Sequence, residues 1–268
     1  EHPPGLRAPF SLSAWTPLRL NYLEDVAFLH GYHQPTAACL GRVKPAWGGC
    51  LNDSNKCNCS VVIVAFDLVD RAPRLIWSIH GLPHDIFQVV PLKLPVGGML
   101  LFSKNAVMYV KEHGPSFCQT LNPAATLGDE FTQIGMAVKD ETKLSIVLSG
   151  CSVVALSPTV LLVSIQPTGR LYLAHLVLAS RDVVADVIWT SPCTAAPVVD
   201  ICTLGEEFVF LAAPDGASAL LKVQQSKKKL PHHLQPSKRA RVDAAAEKRA
   251  APKAILDTAA EKGAAAKA

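Results

Sequence analysis

Short apolar runs separated by turn-forming residues set the pattern of this chain. "SVVIVAFDL", "RLIWSIHG", "GGMLLFS", "AVMYVK", "KLSIVLS", "TVLLVSI", "RLYLAHLVL", "DVVADVIW", "EFVFLAA" and "SALLKV" follow one another with Gly, Pro, Asn and Asp between them. Runs of this length, rich in Val, Ile, Leu and aromatic residues, predict β-strands. Several pairs are joined by turn chemistry: "FSKNAV", "QPTGRL" and "APDGAS", the last turning at Asp215-Gly216. Few stretches carry a helical period before residue 240.

Strand, tight turn, strand and longer polar connection recur in a rhythm that suits four-stranded propeller blades of roughly 40 to 45 residues. Roughly 210 residues supply only four to five such blades, fewer than a larger ring needs. The fold expected is all-β, a partial β-propeller, with a β-sandwich as the alternative. No WD dipeptide marks the repeats. The organisation expected is an N-terminal extension over 1–19, blades over 20–224, a disordered basic linker over 225–243 and an Ala/Lys-rich tail over 244–268.

Charge divides along the same lines. Residues 1–225 hold 15 Lys/Arg against 18 Asp/Glu, whereas residues 226–268 hold 11 against 4. The globular part is slightly acidic, which gives no support to nucleic-acid binding by the core. The basic character belongs to the tail. "SKKKLPHHLQPSKRARVD" places Lys227, Lys228, Lys229, Lys238, Arg239 and Arg241 within 15 residues, interrupted by prolines that prevent a helix or strand. An extended, compact basic stretch suits the acidic groove of a nuclear import receptor, or phosphates. A solvated linker is the plainer alternative. Beyond it the composition favours a marginal helix broken at Pro252 and Gly263.

The chain opens on "EHPPGLRAPF", with no initiator Met and no signal peptide, and reads as a piece of a longer or processed product. Its longest apolar runs fall far short of the roughly 20 residues of a membrane helix, so a soluble protein is expected. Eight cysteines and the sequons at Asn52 and Asn58 invite a secreted reading. A chain this long can build a core without staples. Cys39, Cys118, Cys151, Cys193 and Cys202 lie in or beside strand-like runs, where a thiol packs as a small hydrophobe. The favoured reading is reduced and intracellular.

Candidate chemistry is sparse. Cys50, Cys57 and Cys59, with His30, are the best metal ligands on offer, but C-x6-C-x-C lacks the paired knuckles of a zinc site. Thiols of a surface loop are expected instead. His30 and His33 flank Gly31 and read as polar residues finishing a strand, with Gly31 permitting a conformation that a Cβ would hinder. His84 beside Asp85 nominates no nucleophile, and "LSGCSVV" has no strand–elbow–helix context. "PVGGML" precedes a strand rather than a helix, so it is no phosphate loop. Trp77 and Trp189 sit in apolar runs, where burial is the default. No catalytic residue, metal or cofactor is expected.

Several elements together resemble a known family. "DVAFLHGYHQPT" runs through His30-Gly31-Tyr32 to Pro35-Thr36. Ile76-Trp77-Ser78 and Leu82-Pro83 follow, then Pro91, Pro95, Gly97-Gly98 and the hairpin from Asn105 to Tyr109. "SIQPTGRLYLAHLV", "FVFLAAPDGASALLKV" and the run Pro236 to Asp243 come later, in the same order. Residues 20–243 thereby resemble the N-terminal propeller region of the large subunit of the cleavage and polyadenylation specificity factor. The same propeller family includes the damaged-DNA-binding ubiquitin-ligase adaptor's large subunit and a spliceosomal subunit. The Cys-rich segment "VKPAWGGCLNDSNKCNC" and the Ala/Lys-rich end depart from the pattern.

The resemblance implies a nuclear, non-catalytic scaffold of messenger RNA 3′-end processing. It further implies docking of a WD-repeat subunit and a zinc-finger subunit, with pre-mRNA met mostly through those partners. An adaptor or splicing role from the sister branches is the nearest alternative, a secreted glycoprotein or a metal enzyme the more distant ones.

Overall fold

A strand in which every residue is apolar needs cover on both faces, and the fold supplies it. The computed structural model describes residues 20–44, 57–67, 72–125, 135–166, 168–205, 207–214 and 216–223. There, strands meander into four sheets taken in chain order. Sheet I is β1 (Tyr22–Phe28), β2 (Thr36–Arg42), β3 (Cys59–Asp67) and β4 (Ala72–Leu82). Sheet II is β5 (Ile86–Pro91), β6 (Met99–Ser103), β7 (Ala106–Val110), β8 (Phe117–Thr120) and β9 (Ala137–Asp140). Sheet III is β10 (Cys151–Ser157), β11 (Val160–Ile165), β12 (Arg170–Ser180) and β13 (Val183–Thr194). Sheet IV is β14 (Asp200–Leu204), β15 (Phe208–Ala212) and β16 (Ala219–Lys222).

The sheets stack face to face, and strand alternation sorts the side chains between layers. On β6, Met99 and Leu101 join the core against sheet I, while Leu100 and Phe102 join the core against sheet III. Paired β7 follows suit: Met108 and Val110 go one way, Val107 and Tyr109 the other. That two-sided burial is why these runs are continuously apolar rather than alternating. A third core joins Leu162 and Leu171 of sheet III to Ile201, Val209 and Leu211 of sheet IV. First strands of neighbouring sheets lie side by side, β1 against β5 and β10 against β14. The architecture is an all-β partial propeller, with four blades among the described residues.

Polar contacts fasten one blade to the next. Gln119, 1% exposed, donates from Nε2 to the Val187 carbonyl at 2.8 Å and accepts from Trp189 Nε1 at 2.9 Å. Both bonds cross from sheet II to sheet III, which makes Gln119 a satisfied polar group in an apolar layer. β9 adds to β8 in parallel, unlike the antiparallel pairs elsewhere. Lys139 on it donates to the Ala185 carbonyl, lies 3.5 Å from Asp186 Oδ1 and stands over the Phe117 ring. This fifth strand is thus tied to sheet III as well as to its own sheet.

Some expectations need correction. "KLSIVLS" is no strand: a 3-10 turn occupies Thr142–Leu144, and an extended connection follows. Ile146 and Leu148 are buried alternately, which imitates a strand, but their N–H groups make isolated bonds, to the Leu121 and Lys104 carbonyls, rather than a ladder. The blade period of 40 to 45 residues suits sheet III alone. Sheet I is lengthened by the connection between β2 and β3, and sheet II by the one between β8 and β9. Cys39 and Cys118 are buried as expected, whereas Cys193 and Cys202 are exposed. Cys202 pairs with Phe210 on the uncovered side of sheet IV, opposite Ile201. That side carries Leu204, Phe208, Phe210 and Leu220, between 36% and 56% exposed.

Candidate functional site

Three of the elements that carried the family resemblance, around Gly31, Trp77 and Gly97-Gly98, meet in space. A cleft of about 240 Å³ opens where sheets I and II adjoin, lined by the connection after β1, the turn between β5 and β6, the start of the β7–β8 connection, and Trp77 of β4. His30-Gly31-Tyr32 and Pro95-Val96-Gly97-Gly98 both line it. Some 65 residues separate the two motifs in sequence. Stacking of the sheets brings them together.

Local backbone explains the glycines. Gly31 has φ +92°, and a Cβ there would stand 3.2 Å from Leu94 Cδ2. Gly98 has φ +72°, and a Cβ there would lie 2.7 Å from the Val110 carbonyl oxygen. The β5–β6 turn is closed by Leu92 N–H donating to the Gly98 carbonyl at 3.0 Å and Gly97 N–H donating to the Lys93 carbonyl at 3.2 Å. The buried Tyr109 donates its hydroxyl to the Gly97 carbonyl at 3.4 Å. Burial, helped by the charge of Asp182, pushes the Tyr109 phenol up to about 12.

Charged groups gather at the mouth. Tyr32 donates to Glu112 Oε2 at 3.3 Å, across 80 residues of sequence. Burial first, then the Glu112 charge, raises the Tyr32 phenol above its ordinary value, against an opposing effect of the Trp77 indole. That indole Nε1 is buried and has no well-formed hydrogen bond. His113 Nε2 lies 3.7 Å from Glu112 Oε1. Lys111 is already engaged: its Nζ donates to the Val96 carbonyl at 3.1 Å and to the Asp182 carbonyl at 2.9 Å, with Asp182 Oδ2 at 3.4 Å. The Lys111 ammonium in turn holds the Asp182 carboxyl below its usual range.

The residues singled out from sequence fare differently. His30 lines the cleft while His33 is not among its lining residues, so the pair does not converge. Cys57 and Cys59 are buried, Cys59 as the first residue of β3, which corrects the surface-loop reading; Cys50 lies outside the described residues. Among the described residues, no three His, Cys, Asp or Glu side chains are grouped to hold a metal. Asp85 accepts from Ser103 Oγ at 2.7 Å, a bond that braces the start of β5 against the end of β6. Cys151 opens β10, and burial pushes its thiol up to about 12. At the sequon residue Asn58, Nδ2 donates to the Lys44 carbonyl at 3.5 Å; Asn52 lies outside the described residues. Lys227, Lys228, Lys229, Lys238, Arg239 and Arg241 lie outside them too. Among the described residues no helix is long and apolar enough to cross a membrane. Sequence reasoning missed Glu112, His113 and Leu94, and read Trp77 as a buried residue and a family element rather than as part of a site. No local signal marks them, because the cleft forms from four separate segments.

Comparison with known proteins bears on what this arrangement belongs to. No family model matches the chain. The chain is similar to the Cleavage and polyadenylation specificity factor subunit 1 of Drosophila melanogaster, 28% identical over 239 residues, covering 81% of this chain and 15% of that protein. To the Protein cft1 of Aspergillus oryzae it is 30% identical over 229 residues, covering 80% and 16%. To the Probable cleavage and polyadenylation specificity factor subunit 1 of Oryza sativa subsp. japonica it is 25% identical over 206 residues, covering 76% and 14%. The chain spans between 14% and 16% of the length of these curated relatives. An insect, a fungal and a plant protein thus match most of the same chain, and with the propeller sheets they bear out the resemblance: over most of its length this chain is similar to the large subunit of the cleavage and polyadenylation specificity factor.

Proposed function

We propose that this protein is a non-catalytic scaffold of the pre-mRNA 3′-end cleavage and polyadenylation machinery, working in the nucleus. The observation that carries the reading is the pair of relatives, insect and plant, named for a cleavage and polyadenylation factor and matched over 81% and 76% of this chain. Stacked sheets whose connections form a polar-rimmed cleft suit a protein that holds others. Surface loops on a rigid scaffold are where such contacts are made. The partners in this reading are a WD-repeat and a zinc-finger subunit, which bring pre-mRNA to the scaffold, so that RNA contact by this chain is mostly indirect. The basic cluster at Lys227 to Lys229 and at Lys238, Arg239 and Arg241 engages a nuclear import receptor.

Purification of the endogenous product from nuclear extract, with its partners identified by mass, tests the reading. Subunits of the cleavage and polyadenylation machinery are the expected companions. Recovery with ubiquitin-ligase or splicing subunits instead would overturn it in favour of a sister branch. For import, a reporter fused to residues 226–245 should lose nuclear accumulation when Lys238, Arg239 and Arg241 become Ala. An undiminished nuclear signal removes that part.

A further inference from the structure

We infer that the cleft between sheets I and II is an anchoring pocket for an arginine side chain of a partner protein. The inference rests on the scaffold reading and adds the chemistry of one contact. Size argues first: at about 240 Å³ the cleft falls below the range typical of small-molecule sites and suits one long side chain.

Charge argues next. Glu112 is the one carboxylate among the lining residues. The neighbouring cation, Lys111, is matched by Asp182, so it does not neutralise Glu112. Tyr32 occupies Oε2 of Glu112 as a donor, and His113 Nε2 lies 3.7 Å from Oε1. A carboxylate held in place beside apolar surface favours a cation, and a guanidinium can donate two parallel hydrogen bonds to it. The phosphates of RNA would meet the same charge as a repulsion.

The walls complete the match. Leu94 is 59% exposed and lines the cleft, where the methylene stem of an arginine would cover it. Trp77 and Tyr32 bring aromatic surface, on which a guanidinium stacks more favourably than an ammonium.

The test uses the whole chain labelled with 5-fluorotryptophan, with the Trp77 resonance assigned from Trp77→Phe. The probes are acetyl-Gly-Arg-Gly-amide, its citrulline counterpart and adenosine 5′-monophosphate. The arginyl peptide should move the Trp77 resonance saturably and leave that of Trp189, buried between sheets II and III, in place. Citrulline has the shape of arginine without its charge and should bind about tenfold more weakly. Glu112→Gln should bring the arginyl peptide down to the citrulline level. Glu207→Gln, which removes the same charge from an exposed position on sheet IV, should change nothing. Equal response to both peptides, an arginine preference that survives Glu112→Gln, or preferential binding of the nucleotide would each overturn the proposal. Loss of the arginine preference with the partners still co-purifying sinks this inference alone; arginine binding without those partners sinks only the scaffold.

Discussion

Replacing Gly98 by Ala should loosen the junction of sheets I and II far more than the same change at Gly205. Both glycines have left-handed backbone, at φ +72° and +65°. That conformation costs a residue with a Cβ about 1–2 kcal/mol, and the cost applies equally at both sites. Their surroundings differ. Around Gly205 nothing lies within 4 Å of the added carbon. At Gly98 it would lie 2.7 Å from the Val110 carbonyl oxygen, 3.2 Å from Lys111 Cβ and 3.3 Å from Tyr109 Cε2. Val110 is paired with Met99 in the β6–β7 ladder, so its carbonyl cannot yield without disturbing two buried strands. Forced overpacking of this kind adds about 1–3 kcal/mol. Gly98→Ala should therefore cost about 2–5 kcal/mol and Gly205→Ala about 1–2. In a chain of this size each kcal/mol moves the melting temperature by about 2–4 °C. Urea titration followed by tryptophan fluorescence, with both variants at one protein concentration, measures the difference. Equal midpoints, or a lower one for Gly205→Ala, would refute the argument that contact rather than backbone conformation fixes Gly98.

Two further outcomes follow from burial. Burial pushes the Cys39 and Cys59 thiols up to about 11 and the Cys118 thiol up to about 12, against about 9 in the unfolded chain. The folded chain keeps these protons when the unfolded chain has lost them, so stability should fall as pH rises from about 9 towards 11. Urea midpoints across that range should decline, less steeply in Cys118→Ala, and a flat profile would contradict the shifts. Separately, the apolar side of sheet IV should promote self-association. Changing Phe208 and Phe210 to Ser should weaken it roughly tenfold in sedimentation equilibrium, since each ring gives up apolar area to water; no change would show that this side does not carry the association.

Much of the fold was legible because burial leaves a mark on composition. "VVIVAF" and "MLLF" announce strands through β-branched and apolar content, and "SKNA" announces a turn through Lys104-Asn105. β2 left only a faint mark, at Cys39, because Ala37, Ala38 and Gly41 have little strand preference. β9 escaped because its pairing is parallel and reaches back across a long connection, which no local pattern encodes. "KLSIVLS" misled for the reverse reason: alternating burial occurs wherever an extended segment crosses a core, whether or not a ladder forms beside it.

The sequence by itself determined an all-β chain in blade-like meanders, with glycines at Gly31, Gly97 and Gly98 where the backbone turns left-handed. It also carried the family, because the order of short motifs survives in a linear string. Tertiary structure alone decided which thiols are sheltered, which side of sheet IV is left apolar and uncovered, and which residues make the cleft. Tyr32 and Glu112 are 80 residues apart, and only the stacking of sheet I on sheet II sets them in contact. Contacts between sheets depend on register and on which alternate side chain faces the neighbouring layer, and neither is written within a single strand.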